Sequence, residues 1–249
     1  MSFRIGVDIG GTFTDFALLN DDTGDLAIHK QLTTPHDPAA SVLAGCQTLL
    51  ADNRVSIKDV TAVVHGTTLV TNAVIERRGA ITGALVTKGF RDTFDIALER
   101  RYDLFDLRLR FPDPLVPREL RAEIDERVQF DGAVAKAVDL AEVSAQVRRL
   151  VEKEKVAAIA VCFLHSYANP AHEDAVAAHV RREFPSLSVC TSSDVFPHIR
   201  EYERWTTATM NAYAQPMVAR YVESLEKGLG ALGFGGRLYI MASNGGTIT

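Results

Sequence analysis

The chain has 249 residues, 47% of them hydrophobic and 24% charged, with 27 Lys and Arg against 32 Asp and Glu for a net charge of −5. That balance excludes a disordered or low-complexity chain, and it argues against a nucleic-acid binder that works by neutralising phosphates. Cys46, Cys162 and Cys190 lie far apart with no C-x-x-C pair, so reduced thiols are expected in place of a disulfide framework. The longest apolar run, Val156 to Leu164, is far short of the ~18 residues that span a bilayer. The N-terminus lacks the basic, apolar and cleavage-site pattern of a secretory leader, so a cytoplasmic location is expected.

Phe3 to Ile9 reads as a strand ending at Gly10-Gly11, and Phe13 to Leu19 as a second strand. The turn Asn20 to Gly24 leads to a third strand, Leu26 to Leu32, which completes an antiparallel meander. Asp37-Pro38 opens a helix whose Val42, Leu43, Leu49 and Leu50 share a face. A strand over Ala62 to His65, a helix over Val70 to Arg78 with Gly79 just past its end, and a strand over Ile81 to Val86 follow. The stretch Glu99 to Arg127, rich in Arg, Asp and Pro, reads as an irregular insertion or site loop. Helices over 139–154 and 169–184 then alternate with strands over 156–164 and 187–190, and Glu201 to Leu229 is helical with a kink or break predicted at Pro216. Arg237 to Ala242 is a last strand. The pattern is that of an α/β fold.

Three motifs carry chemistry. Asp8-Ile9-Gly10-Gly11-Thr12-Phe13-Thr14-Asp15 joins two strands through a tight glycine turn whose backbone a phosphate can approach. Thr12 and Thr14 offer hydroxyls, Asp8 is placed for Mg²⁺, and Thr14 and Asp15 support the hairpin. Neither a Walker A loop nor a Rossmann fingerprint is present. Ser243-Asn244-Gly245-Gly246-Thr247 repeats the Gly-Gly-Thr turn after a strand, as a two-lobed phosphate clamp needs. His65-Gly66-Thr67-Thr68, with Asn72 beyond it, offers an imidazole for acid–base work and polar groups for an anion or a carbonyl. His165, His172 and His179 have the wrong spacing for a metal site and are expected at the surface. Glu99 to Arg101, Arg108 and Arg110 are candidate contacts for an anionic substrate.

The motifs Gly6–Phe16, His65–Ala80, Gly89–Asp92, Phe163–Glu173, Ile199–Arg204, Asn211–Tyr213 and Ser243–Gly246 together resemble the hydantoinase A/5-oxoprolinase family, which includes ATP-dependent subunits of acetone and acetophenone carboxylases. The resemblance covers essentially the whole chain. It implies an RNase-H-like lobe of the actin, sugar-kinase and Hsp70 superfamily over residues 1–198, with an inserted segment at about 99–137, then a connecting helix and the first strand-turn of a second lobe over 199–249. It implies ATP and Mg²⁺ as cofactors, a cyclic amide or ketone substrate, a hydantoinase B-like partner subunit, and no nucleic acid or membrane. Asp8, Gly10, Gly11, Thr12, Thr14 and Asp15 would face the nucleotide, with Asn244, Gly245 and Gly246 clamping from the other lobe. His65, Thr67, Thr68 and Asn72 would line the substrate side. A small-molecule kinase of the same superfamily and a non-catalytic fragment that assembles with a partner are the alternatives.

Overall fold

The computed structural model describes residues 2–34, 36–98, 105–242 and 245–248. The chain divides into two compact units, Met1–Glu76 with Met217–Thr249 and Arg77–Pro216.

The first unit opens with β1 (Phe3–Ile9), β2 (Phe13–Asn20) and β3 (Leu26–Leu32), the antiparallel meander expected from their alternating pattern. Helix α1 (Pro38–Asp52) starts where Asp37-Pro38 predicts, and the Asp37 carboxylate accepts the Ala40 N–H at 3.1 Å. Strand β4 (Val60–Thr67) then lies parallel to β1, and α2 (Leu69–Ile75) follows.

The second unit carries β5 (Thr82–Thr87), α3 (Thr93–Ile96), β6 (Arg121–Ile124), β7 (Arg127–Val128) and β8 (Val134–Lys136). It continues with α4 (Leu140–Glu154), β9 (Ala158–Cys162), α5 (Ala171–Glu183), β10 (Ser188–Thr191) and α6 (Ser192–Val195). Its main sheet is parallel, in the order β10-β9-β5-β6. Helix α7 (Glu201–Ala231) contributes its first half to this unit and its second half to the first, after which come β11 (Arg237–Met241) and β12 (Thr247–Ile248).

Four expectations change. Strand β11 does not begin a separate lobe: it pairs in parallel with β4, giving the six-stranded order β12-β11-β4-β1-β2-β3. The compact segment inserted in sequence within the first unit is Arg77–Pro216, larger than the 99–137 expected, and the stretch predicted irregular supplies β6 at its own sheet's edge. Pro216 sits inside α7 without ending it. Gly79 is not a helix cap, because α2 ends at Ile75; a Cβ at Gly79 would fall about 2.1 Å from the Tyr213 ring, so the glycine admits that ring.

One face of the six-stranded sheet holds the first unit's core. Ile5, Val7, Phe16, Leu18 and Val63 are buried against Val42, Cys46 and Leu49 of α1 and against Tyr221, Leu225 and Leu229 of α7, spaced four residues apart on one helical stripe. The second unit buries both faces of β5 and β9, and Trp205 of α7 is fully buried in its core.

Candidate functional site

Strands β1, β4 and β11 are parallel neighbours, so their carboxyl ends share one edge of the sheet. The turn after β1 is Gly10 to Thr12, the loop after β4 is Thr68, and the described residues after β11 are Ala242, Gly245 and Gly246. In open sheets of this kind, ligands bind outside the carboxyl ends of the parallel strands.

The β1–β2 turn is braced from behind. The Gly10 N–H donates to the Phe13 carbonyl at 2.9 Å, Thr33 Oγ1 donates to the Gly10 carbonyl at 2.9 Å, and the Thr33 N–H donates to the Thr12 carbonyl at 2.9 Å. Thr14 is fully buried and shares a 2.9 Å hydrogen bond with Thr33, so it supports the hairpin and cannot reach a ligand. Gly11 and Thr12 remain exposed at the tip. Sequence reasoning missed Thr33; its only signal is a threonine pair directly after β3.

The loop after β4 is tied to this hairpin. Thr68 Oγ1 donates to the Ile9 carbonyl at 3.4 Å, and Asn72 Nδ2 donates to Thr68 Oγ1 at 3.2 Å. A Cβ at Gly11 would lie 3.8 Å from Asn72 Nδ2. Thr67 Oγ1 accepts the Leu69 N–H at 3.1 Å, and so opens α2 in place of Thr68. At the third turn, Gly245 N–H donates to the Ala242 carbonyl at 2.9 Å and Ala242 N–H to the Gly246 carbonyl at 2.7 Å. Asn244 and Ser243 lie outside the described residues, as do Glu99, Arg100 and Arg101. Arg108 and Arg110 are exposed on the second unit.

Away from the helix-packed face, Asp8, Asp15, Lys30, Gly66 and Met241 line a cleft of about 900 Å³. Asp8 stands opposite Asp15 in the antiparallel register, and directly opposed like charges destabilise a pair of strands. Lys30 relieves this at one end only, 2.8 Å from Asp15. Asp8 has no ion pair among the described residues. Gly66 is the parallel partner of Asp8, and a Cβ there would sit 3.3 Å from Asp8 Oδ1. The glycine therefore serves close approach within a strand.

His65 corrects the expected assignment. It alternates to the core face of β4, is fully buried, and its Nε2 is 2.5 Å from the Tyr221 hydroxyl. It does not line the cleft. Burial pushes its imidazole below the ordinary histidine value of 6.5, with the Val7 backbone and the Asp8 carboxylate pulling weakly the other way. The fold therefore disfavours the protonated ring. As pH falls below 6.5 the unfolded chain takes up a proton more readily than the folded chain, so stability falls as the solution is acidified. Urea midpoints measured from pH 7.5 to 5 should drop more steeply for the wild type than for a His65→Gln variant, and parallel slopes would contradict this.

His172 is also not at the surface: it is buried, with Nδ1 2.7 Å from Glu126 Oε2. His179 bonds Ser144 at 2.7 Å. Among the described residues, no group of three metal-ligating side chains occurs and no helix is long and apolar enough to cross a membrane.

Residues 4–184 match the family model described as hydantoinase/oxoprolinase N-terminal region, and residues 204–249 match the hydantoinase/oxoprolinase model. The chain belongs to the hydantoinase/oxoprolinase family. It is 37% identical to caprolactamase subunit alpha of Pseudomonas jessenii over 98% of this chain and 36% of that one. It is 30% identical to the acetophenone carboxylase gamma subunit of Aromatoleum aromaticum, over 98% of this chain and 35% of that one. The crystal structure of the ATP-dependent caprolactamase superposes with a TM-score of 0.86 at 36% identity, over 98% of this chain and 36% of that one. A nucleotide-free structure of acetone carboxylase superposes with the same TM-score at 26% identity, also over 98% and 36%. The family member thus has the expected mixed α/β fold, consistent with an actin-like ATPase lobe. It spans about a third of the length of these relatives, which include ATP-dependent enzymes and named subunits of larger assemblies.

Proposed function

We propose that the chain is the phosphate-binding N-terminal part of an ATP-dependent cytoplasmic enzyme of the cyclic-amide-opening (hydantoin or 5-oxoproline) or ketone-carboxylating type, assembled with a hydantoinase B-like subunit. The observation that carries this reading is the meeting of the hairpin, the β4 loop and the β11 turn at the carboxyl ends of three parallel strands.

In this reading the exposed Gly11 and Thr12, held by Thr33 from behind, accept the terminal phosphates, and Gly245 and Gly246 approach from two strands away in the same sheet. Thr68 and Asn72, bonded to each other and to the hairpin, orient the reacting oxygen of the substrate, with Thr67 shaping the loop. Asp8 fits a hard divalent cation: it is an exposed carboxylate without a cationic partner among the described residues, and a bare glycine beside it leaves room. Mg²⁺ held there would offset phosphate charge. Asp15, neutralised by Lys30, braces the strand. Phosphorylating an amide or enol oxygen turns a poor leaving group or electrophile into a good one, which is the chemistry a ring opening or carboxylation needs.

The test is ATP binding by calorimetry, with and without Mg²⁺. Mg²⁺ should tighten ATP binding to the wild type, and Asp8→Asn should lose about tenfold or more of that affinity. Undiminished Mg²⁺-dependent binding by Asp8→Asn would falsify the assignment.

A further inference from the structure

The second unit has a site of its own. In its parallel sheet, the chain moves from β5 outward to β6, then returns across β5 to β9 and continues to β10. The order reverses between β5 and β9, and a crevice forms outside the carboxyl ends of strands at such a reversal. A cleft of about 300 Å³ lies there, lined by Phe90 after β5, Arg127 and Phe130 after β6, Leu164 and His165 after β9, and Glu201 at the start of α7.

Two of these side chains are unsatisfied. Among the described residues, Arg127 Nη1 and His165 Nδ1 are both buried without a hydrogen-bond partner. Buried polar groups are nearly always paired, so two orphaned nitrogens in one cleft point to an absent acceptor. His165 also adopts φ 56°, a left-handed conformation that non-glycine residues take at a cost.

The loop that presents His165 is held rigidly. The Phe163 N–H donates to Glu173 at 2.7 Å, Arg204 Nη2 donates to the Phe163 carbonyl at 3.0 Å, and the Leu164 N–H donates to Thr87 Oγ1 at 2.9 Å. The Arg127 guanidinium stacks 4.9 Å from the Phe90 ring centroid, which fixes its direction. Both nitrogens are closed to a water-sized atom in this structure, so an acceptor reaches them through a small side-chain movement at the cleft wall.

We propose that this cleft binds a small organic carboxylate, its oxygens on Arg127 and His165 and its hydrocarbon part against Phe90 and Leu164. A single guanidinium beside an apolar wall suits a monoanion, and the Glu201 carboxylate disfavours a phosphate-like dianion. The site is separate from the nucleotide reading and does not depend on it.

The probes are butyrate and inorganic phosphate, titrated into the whole chain by calorimetry. Butyrate should bind saturably, with phosphate about tenfold weaker or worse, and Arg127→Gln should weaken butyrate by about tenfold with an unchanged far-ultraviolet dichroism spectrum. His165→Asn, which tolerates the left-handed backbone, should weaken it too and decides the matter if Arg127→Gln fails to fold. The proposal is overturned by non-saturable butyrate binding, by phosphate binding as tightly, by wild-type affinity in the folded variants, or by competition between butyrate and Mg²⁺-ATP.

Discussion

Replacing Glu173 with Ala should destabilise the chain by about 3–5 kcal/mol, measured as a fall in the urea midpoint at constant slope. Glu173 is fully buried and accepts four hydrogen bonds. Oε1 takes the Phe163 N–H and the Ser192 hydroxyl, each at 2.7 Å, and Oε2 takes the Ser193 N–H at 2.8 Å and the Ser193 hydroxyl at 2.7 Å. Removing the carboxylate strands these donors, and a stranded buried donor costs about 1–3 kcal/mol. The loss extends to Arg204, whose Nε reaches the same Ser192 hydroxyl at 3.1 Å. Burial raises the carboxyl above its usual value, so its contribution is greatest in acid and declines as pH rises through the folded value. Glu173→Gln should fall between wild type and Ala, since one amide oxygen remains to accept. A loss below about 1 kcal/mol in Glu173→Ala would show that water replaces the carboxylate.

Gly66→Val is expected to separate binding from folding. Valine is well suited to a strand, and Gly66 lies on the cleft face of β4. The first added carbon would already stand 3.3 Å from Asp8 Oδ1, and the branch atoms must displace that carboxylate. Mg²⁺-ATP affinity should weaken about tenfold while the urea midpoint changes by less than about 1 kcal/mol in stability terms. Wild-type affinity in this variant would mean that Asp8 plays no part in holding the nucleotide.

Local patterns were readable wherever neighbouring residues decide the outcome. The Phe3–Leu32 meander and the Asp37-Pro38 helix start follow from alternation and capping. The glycine turn after β1 and the polar segment after β4 were also legible as strand-end motifs, but the hydrogen bonds that tie them together were not. Long-range choices were not. Nothing near Arg237 states that β11 will join β4 and not a new sheet. His65 looked catalytic because its strand pattern is short and apolar on both sides, which hides the face it takes. Tyr221, its partner, comes from a helix 156 residues away. Gly79 mimicked a helix cap because a glycine that admits a ring and one that ends a helix look alike in sequence.

The interrupted first unit also constrains the order in which the chain is made. Strand β4 is complete by Thr67, yet its neighbour β11 arrives only at Arg237. During synthesis, β4 therefore waits as an open sheet edge while the whole of Arg77–Pro216 emerges. The mature pairing, Ala62 with Arg237 and His65 with Ile240, closes that edge only once β11 has been made. A nascent chain stalled in the second unit would display an unpaired β4, and chaperone demand should peak in that interval.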